Sequence, residues 1–311
     1  MLAPIVATAN GSLVSAYLKD FSNLRLARVD AAGNLLHDLS LGWHDGPELG
    51  LFASPQNGVV VASSYALIHA AANGTLLGEE SLSFDPTIAP FYFYFEDLVI
   101  GSGGQIWRSL ERDEGALSFG QGPDFVWQPL QADMSEAGAE RRLPRSLLTH
   151  SRLLTDGQFA LLDALTSPAG NIRLRLHDSS GTLVSSHDYF LPAAMPLYST
   201  RNGSGSFAVI TSDGPSGPHA VSQFTEQGDL IHTTALSFQP TRMVLSESGD
   251  IAVWASTETS ADAAFLTSTG TELMSWHCAA SGDCRQYPDF IVRSPTGWVV
   301  AGRDATATGR A

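Results

Sequence analysis

A two-strand pattern recurs along this 311-residue chain and constrains its fold more than any other feature. In Leu24–Leu41 (LRLARVDAAGNLLHDLSL), an alternating apolar strand leads into a tight turn with glycine, and a second alternating strand follows. Alternation with a period of two is typical of strands that bury one face. Further copies cover Ala66–Leu82, Arg173–Leu191, Ala220–Leu236 and Ala263–Trp276.

A second signal lies upstream of each copy, where a glycine turn precedes another apolar strand. The glycines of these first turns are Gly11, Gly58, Gly157, Gly205, Gly249 and Gly297. The third copy has no glycine here, and Asp97 takes its place. The glycines of the later turns are Gly33, Gly74, Gly115, Gly181, Gly228 and Gly270. In the third repeat, Gly103-Gly104 is an alternative to Gly115 for the turn. We expect several of the later glycines to adopt positive φ in equivalent hairpin turns.

Each repeat therefore contains four strands, and the later turns lie 41, 41, 66, 47 and 42 residues apart. A four-stranded unit at this spacing is the signature of a β-propeller blade. One small sheet cannot bury both of its faces alone, whereas stacked sheets can. We predict an all-β propeller of four-stranded antiparallel blades, most simply seven-bladed with an incomplete last blade; six blades are the alternative.

The seventh repeat has only two strands in the sequence, Phe290–Pro295 and Trp298–Arg303. These strands could instead complete a ring with the N-terminal segment, or the sequence could be a piece of a longer protein. We predict a single propeller domain over 1–311 with an insertion at about 121–145. That insertion would hold the helix-like segment Gln131–Arg142.

The motif Asp-x-x-Gly-x-Leu after an alternating strand, as in VDAAGNLL and HDSSGTLV, resembles bacterial propeller repeats of the quinoprotein-like and WD40-like kinds. The resemblance covers almost the whole chain and implies an architecture without specifying an activity. Pyrroloquinoline quinone dehydrogenases carry a Trp late in each outer strand, and here only Trp276 fits. The other places hold His37, Glu79, Ser186 and Thr233, so no quinone or other cofactor is expected.

Composition excludes several classes of function. The net charge of −15 argues against a nucleic-acid partner, because phosphate binding needs clustered Lys and Arg. With 43% hydrophobic and 16% charged residues, the chain has ample material for a core. It has no apolar run of about 18 residues, so no membrane insertion is expected. The N-terminus lacks the features of a signal peptide, so Met1 is a cytosolic start or precedes a trimmed mature domain.

Two cysteines, Cys278 and Cys284, are separated by five residues that include Ser-Gly-Asp. This spacing permits a disulfide, which predicts an extracellular or periplasmic location; unpaired thiols and a cytoplasmic location are the alternative. His277 beside them does not complete a zinc set, and no metal site is predicted.

Four arginines recur at the predicted innermost strands: Arg145, Arg201, Arg242 and Arg293. Those strands are Leu51–Pro55, Leu147–Leu154, Leu197–Arg201, Met243–Ser246 and Phe290–Ser294. Rotational symmetry would bring the guanidinium groups together as an anion site. The alternative is that each arginine pairs with a nearby Asp or Glu.

Aromatic residues supply the remaining candidate ligand contacts. In the run from Pro90 to Phe95, Tyr92 and Tyr94 would face away from the phenylalanines and could hold a sugar ring or a protein side chain. The alternative is a core strand between blades. The loop with Trp43 and His44 is a further candidate for substrate or metal, or simply a solvated loop.

No catalytic motif is present: the sequence has no Gly-x-Ser-x-Gly elbow and no phosphate loop. We therefore predict a non-catalytic, extracytoplasmic binding or assembly platform for a protein, a small anion or a carbohydrate. One alternative is a hydrolase or lyase whose residues converge from distant blades, and a second is a carbohydrate-binding module.

Overall fold

Antiparallel strands make up the regular structure of this protein. A computed structural model describes residues 5–8, 10–19, 23–43, 49–54, 57–63, 66–81, 92–100, 105–113, 124–144, 149–154, 157–165, 171–193, 195–202, 204–214, 216–256, 260–279, 286–294 and 297–304. Within these ranges strands are the only long elements, and no helix there is long and apolar enough to cross a membrane.

By its backbone contacts the chain divides into two compact units. Unit one comprises Met1–Leu147 with the turn segments Thr155–Gly157 and Ser179–Gly181. Unit two comprises Leu148–Leu154, Gln158–Asp178 and Thr182–Ala311.

Unit one contains three four-stranded antiparallel sheets among its described residues. Sheet 1 consists of β1 (Ile5–Ala7), β2 (Leu13–Lys19), β3 (Asn23–Val29) and β4 (Leu35–Trp43). Sheet 2 consists of β5 (Leu49–Ala53), β6 (Val59–Ser63), β7 (Ala66–Ala70) and β8 (Leu76–Ser81). Sheet 3 consists of β9 (Tyr92–Ile100), β10 (Ile106–Asp113), β11 (Asp124–Leu130) and β12 (Arg141–Pro144).

Unit two contains three four-stranded sheets and one two-stranded sheet in the part that the structure describes. Sheet 4 consists of β13 (Thr149–Leu153), β14 (Phe159–Ala164), β15 (Asn171–His177) and β16 (Leu183–Phe190). Sheet 5 consists of β17 (Met195–Arg201), β18 (Phe207–Ser212), β19 (His219–Phe224) and β20 (Leu230–Leu236). Sheet 6 consists of β21 (Arg242–Leu245), β22 (Ile251–Ser256), β23 (Ser260–Leu266) and β24 (Glu272–Ala279), and sheet 7 of β25 (Gln286–Ser294) and β26 (Gly297–Asp304).

Strand order follows chain order in every sheet, so each four-stranded sheet is a meander of hairpins. These sheets are the blades of a β-propeller, and the predicted all-β fold is confirmed. The six four-stranded sheets of the described residues match the six-bladed alternative, whereas seven blades are not confirmed. The N-terminal strand β1 pairs with β2 inside sheet 1, and sheet 7 holds only β25 and β26, the two strands predicted for the last repeat.

The first strand of each sheet contacts the first strand of the next one within a unit. In unit two β13 contacts β17, β17 contacts β21, and β21 contacts β25; in unit one β1 contacts β5. The strands predicted to be innermost therefore hold that position. The second strands lie one step further out, and β18 is buried along its whole length because neighbouring sheets cover both of its faces.

The core lies between successive sheets of each unit. Between sheets 4 and 5, Leu174 and Val209 pack together in one buried cluster. The rings of Phe207 and Phe224 stack there with their centroids 5.2 Å apart. Between sheets 1 and 2, Val14 and Val61 belong to an equivalent cluster. Burial of each such side chain contributes about 1.5–3 kcal/mol, so stacking supplies the stability that a lone four-stranded sheet lacks.

The later-turn glycines adopt the predicted conformation. Their φ angles lie between 79° and 89°, a region that favours glycine, at Gly33, Gly74, Gly181, Gly228 and Gly270. At Gly33, Gly74, Gly228 and Gly270 the glycine N–H also donates to the carbonyl oxygen three residues earlier, as Gly228 does to Thr225 at 2.9 Å. The hairpin prediction is confirmed at all five positions.

Sheet 3 departs from the predicted pattern. The helix predicted for Gln131–Arg142 is wrong: this segment is the outer turn of sheet 3, where Gln131 N–H donates to Ser135 at 2.7 Å, and it leads into β12. Met134, with φ of 69°, stands where the other turns have glycine. The segment 121–145 contains the strands β11 and β12, and Asp97 lies inside β9 rather than in a turn. Gly115 and the Gly103-Gly104 pair lie outside the described residues.

One first turn is also shifted by a residue. In sheet 2 the positive φ belongs to Asn57, at 62°, and not to Gly58. The Asn57 side chain uses this conformation to accept a hydrogen bond from the backbone N–H of Asn10 at 2.9 Å, which ties the first turns of sheets 1 and 2 together.

Candidate functional site

The outer hairpin of five sheets contains the same β-bulge. At the start of the fourth strand the pairing skips one residue: Val29 pairs with Leu35, but Arg28 pairs with His37. A residue inserted in this way has no partner across the ladder and bends the strand. The skipped residues are Leu36, Leu77, Val184, Ile231 and Leu273.

Every skipped residue is apolar, large and exposed, with exposed fractions from 43% at Ile231 to 65% at Val184. Each has an exposed apolar neighbour in the same strand. We call these neighbours together the bulge pairs: Leu35–Leu36, Leu76–Leu77, Leu183–Val184, Leu230–Ile231 and Leu273–Met274. Since consecutive strand residues face opposite ways, a regular outer strand would bury one member against the next sheet. At the bulge both members stay in solvent instead, and in sheet 6 Met274 pairs with Phe265 beyond the bulge and is exposed as well.

The bulge pairs also lie on edge strands. The fourth strand ends the strand order of its sheet, so one row of its backbone groups has no ladder partner. Edge strands invite pairing with another chain, and bulges oppose it because they twist the edge and break the register. The hairpin end of each fourth strand is therefore suited to side-chain contacts and not to strand addition.

Cross-strand ion pairs occupy the stretch of the fourth strands beyond the bulge pairs. In sheet 1, Arg25 Nε donates to Asp38 Oδ1 at 2.9 Å, and the hydroxyl of Tyr17 donates to the same carboxylate. Arg25 and Tyr17 lower the pKa of Asp38, Arg25 being the larger cause. In sheet 4, Arg173 Nε donates to Asp188 Oδ1 at 2.7 Å. These arginines are engaged within their own sheets.

The hairpin turns themselves carry carboxylates. In sheet 1, Asp30 accepts from the side chain and backbone N–H of Asn34, and these bonds hold its pKa below the ordinary value. In sheet 3, bonds from Ser135 lower the pKa of Asp133 in the same way. Both groups are therefore charged at neutral pH, and they make these two turns acidic.

The structure describes the side chains of two of the four predicted arginines. Arg201 is the last residue of β17, and its Nε donates to the carbonyl oxygen of Leu153 at 2.7 Å. Arg242 is exposed and is the first residue of β21. The two thus lie at opposite ends of adjacent inner strands, so the structure does not bring them together. Arg145 lies outside the described residues, and Arg293 is described only as a backbone position in β25.

The other candidate residues are placed by backbone alone or not at all. Tyr92 and Tyr94 belong to β9, Trp43 ends β4, and Cys278 lies in β24. Their side chains, and the residues His44 and Cys284, lie outside the described part. The anion, aromatic and disulfide hypotheses therefore stay predictions.

Serine–histidine contacts among the described residues include Ser212 Oγ to His219 Nδ1 at 2.9 Å and Ser54 Oγ to His69 Nε2 at 3.0 Å, and both serines are buried. Ser212 is 1% exposed, and its oxygen also accepts from the N–H of Gly214 at 3.2 Å. A hydroxyl so enclosed closes the β18–β19 loop and is not accessible for attack on a substrate. Within the described residues, no group of three or more His, Cys, Asp or Glu is arranged to hold a metal ion.

Similarity to known proteins is confined to the fold. No family model matches this sequence, and no curated protein matches it. The structure superposes on the WD40 domain of Neurospora crassa Pan2 with a TM-score of 0.58 and 10% identity, covering 97% of this chain and 86% of that one.

The chain has the fold of a β-propeller.

Two further structures support that architecture. The Pyrococcus horikoshii acylaminoacyl peptidase superposes with a TM-score of 0.59 and 8% identity, covering 94% of this chain and 48% of that one. A quinoprotein alcohol dehydrogenase-like protein from Bacteroides thetaiotaomicron gives 0.51 and 14%, covering 89% of this chain and 66% of that one. The predicted resemblance to quinoprotein-like and WD40-like blades is confirmed for the fold. The three proteins differ in what their names describe, so the fold alone does not select an activity.

The bulge pairs were missed by the sequence reasoning, although the signal is present. Strict alternation breaks after each later-turn glycine, where two apolar residues stand side by side in GNLL, GTLL, GTLV, GDLI and GTELM. A doubled apolar residue at the start of an outer strand indicates a bulge, because alternation resumes with its phase shifted by one residue.

Proposed function

We propose that this chain is a non-catalytic binding platform on which another polypeptide docks through the bulge pairs. The observation that carries the proposal is repetition: the skipped residue of the bulge is apolar and exposed in sheets 1, 2, 4, 5 and 6, with an exposed apolar residue before it in four of these sheets and after it in sheet 6. Single exposed apolar residues are ordinary on protein surfaces, but a set repeated at one structural position marks an interaction surface.

The energetics favour a polypeptide partner. Each apolar side chain that leaves water contributes about 25 cal/mol per Å² of buried surface. A ligand that touches one pair gains little, whereas one that spans the pairs of neighbouring sheets gains several such contributions together. The hairpins are held by ladders and αL turns, so docking does not have to order them first.

The extracytoplasmic location and the Cys278–Cys284 disulfide remain part of this proposal. A binding platform outside the cytoplasm would have no access to the reducing systems that keep thiols free. The carbohydrate and small-anion ligands depend on Tyr92, Tyr94 and the arginines, and no described contact favours them over a polypeptide.

Selection of short random peptides on the immobilised protein tests the proposal. We expect the recovered peptides to lose binding to the variant Val184→Ser/Ile231→Ser/Leu273→Ser, which removes three bulge side chains of unit two. A matched variant that changes exposed residues at the other end of sheet 5, Ser216→Ala/Ser237→Ala, should bind as the unchanged protein does. The proposal is wrong if the recovered peptides bind all three proteins equally, or if selection enriches none.

A further inference from the structure

The turns of sheets 5 and 6 form a face that carries negative charge only. Four turns lie there, at residues 202–206, 225–229, 246–250 and 267–271, and β24 begins directly after the last of them. These turns and the first residue of β24 contain no Lys or Arg, and they contain the carboxylates Glu226, Asp229, Glu247, Asp250 and Glu272.

Hydrogen bonds show that the four turns share one end of the two sheets. Asn202 Nδ2 donates to the carbonyl oxygen of Ser246 at 3.0 Å, and Ser268 N–H donates to Asp250 Oδ1 at 3.2 Å. In addition, the Thr234 hydroxyl donates to the carbonyl oxygen of Gly270 at 3.0 Å. The first turns of sheets 5 and 6 are thus bonded to each other, β20 is bonded to the later turn of sheet 6, and the Glu226 side chain lies against Gly205 within sheet 5.

Two of the carboxylates stand directly beside bulge pairs. Asp229 precedes Leu230–Ile231, and Glu272 precedes Leu273–Met274. Both carboxylates are exposed, and neither takes part in any ion pair between described residues. The same acidic–apolar–apolar sequence therefore occurs in two adjacent sheets, one position later along β24 than along β20.

Within sheets 5 and 6, arginine lies away from these two sites. Sheets 5 and 6 contain only two basic residues besides histidine, Arg201 and Arg242, and both belong to innermost strands. Three strand spacings of about 4.8 Å separate the innermost strand from the outermost, which exceeds the Debye length of about 10 Å. His232 follows the bulge pair Leu230–Ile231, and burial lowers its pKa, so it is neutral at pH 7.

We infer that the partner is a basic, apolar polypeptide segment whose Leu-like side chains cover the bulge pairs of sheets 5 and 6 and whose Lys or Arg side chains face Asp229 and Glu272. This inference rests on the proposed function and names its partner. A second copy of this chain is the disfavoured occupant, because it would bring like charges together between two molecules of net charge −15.

Fluorescence anisotropy with three labelled synthetic peptides tests the inference. The first peptide consists of Leu and Lys, the second has Glu in place of each Lys, and the third has Ser in place of each Leu. We expect the Leu/Lys peptide to bind about tenfold more tightly than either of the others, and its affinity to fall as salt is raised.

Matched variants separate site binding from general attraction to an acidic protein. Asp229→Asn/Glu272→Gln should weaken the Leu/Lys peptide by up to about fivefold for each lost ion pair. Glu79→Gln/Asp133→Asn removes the same charge from exposed positions of unit one and should have little effect. Ile231→Ser/Leu273→Ser should reduce affinity by about tenfold while the net charge stays the same.

The outcomes distinguish the inference from the proposed function. If the Leu/Glu peptide binds equally well and still loses binding to Ile231→Ser/Leu273→Ser, the basic partner is wrong and the platform stands. If no peptide responds to Ile231→Ser/Leu273→Ser, both are wrong for this face. Self-association in sedimentation experiments that this variant abolishes would replace the basic segment with a second copy of the chain.

Discussion

The imidazole Nδ1 of His69 lies 2.8 Å from the carbonyl oxygen of Ala132, so a side chain of β7 holds the outer turn of the next sheet. The carbonyl can only accept, and Nδ1 therefore carries the proton. The other ring nitrogen, Nε2, lies 3.0 Å from Ser54 Oγ in the first turn of its own sheet. The ring is almost fully buried and joins three elements of unit one.

We predict that His69→Ala lowers the free energy of unfolding by about 2–3 kcal/mol, because it leaves a cavity and a buried carbonyl without its donor. Denaturant unfolding measures the effect. Ser54→Ala should cost about 1 kcal/mol, the value of one lost hydrogen bond. A loss no larger than that of His187→Ala, at an exposed position of sheet 4, would contradict the bridging role.

Met134→Gly should destabilise the protein even though it relieves backbone strain. Positive φ costs a non-glycine residue about 1–2 kcal/mol, which glycine would recover. Met134 is fully buried in the core between sheets 2 and 3, however, and loss of such a side chain costs about 2–5 kcal/mol. We expect a net loss in denaturant unfolding, and a gain in stability would show that the side chain does not pack as described.

Glu80→Ala should be more damaging than replacement of its whole ion pair. Arg108 NH1 lies 2.5 Å from Glu80 Oε2, and Arg108 is 7% exposed. Burial raises the pKa of Glu80, and the neighbouring Arg108 opposes that rise. Removal of the carboxylate alone leaves a buried cation and should cost about 3 kcal/mol. The double variant Glu80→Leu/Arg108→Met should recover much of that loss, and simple additivity of the single variants would refute the coupling.

Stability should fall as the pH drops below about 6.5 because of His232. Burial lowers the pKa of this imidazole, so the folded state binds its proton less readily than the unfolded chain. An imidazole whose pKa is lower in the folded state than in the unfolded chain contributes its full stabilisation above the unfolded-state pKa. That stabilisation is lost as the pH falls toward the folded-state pKa. His232→Gln should flatten the dependence between pH 7 and 5 relative to the exposed control His187→Gln. Identical slopes in all three proteins would rule the contribution out.

The cysteines provide a direct test of compartment. If Cys278 and Cys284 form a disulfide, denatured and unreduced protein should show no reactive thiol, and closure of so short a loop should contribute about 2–3 kcal/mol. A titration that finds two thiols would remove both the disulfide and the argument for an extracytoplasmic location.

The hairpins could be predicted because their determinants are local. Gly228 and its equivalents have a positive φ, which glycine adopts without strain. A glycine between two alternating strands therefore predicts a turn of this kind from the sequence. The first strands of the sheets were predictable for the same reason. In a meander each strand pairs with the next one along the chain, so the strand that comes first in the repeat is also the first strand of the sheet.

Other features depended on contacts that no local pattern encodes. Met134 adopts the glycine conformation because the core between sheets 2 and 3 buries its side chain, so the segment around it was mistaken for a helix. Arg201 and Arg242 both precede turns in the sequence, yet the strand lengths place them at opposite ends of adjacent strands.

By itself, the sequence determined the all-β blades, their αL turns and the acidic charge of the chain, because each depends on residue type and near neighbours. The tertiary structure decided which apolar residues stay in water. Leu174 and Val184 are equally apolar, but stacking of sheet 4 on sheet 5 buries the first, and a bulge on an edge strand exposes the second. A side chain is buried only when residues of the next sheet pack against it, and those residues are distant in the chain.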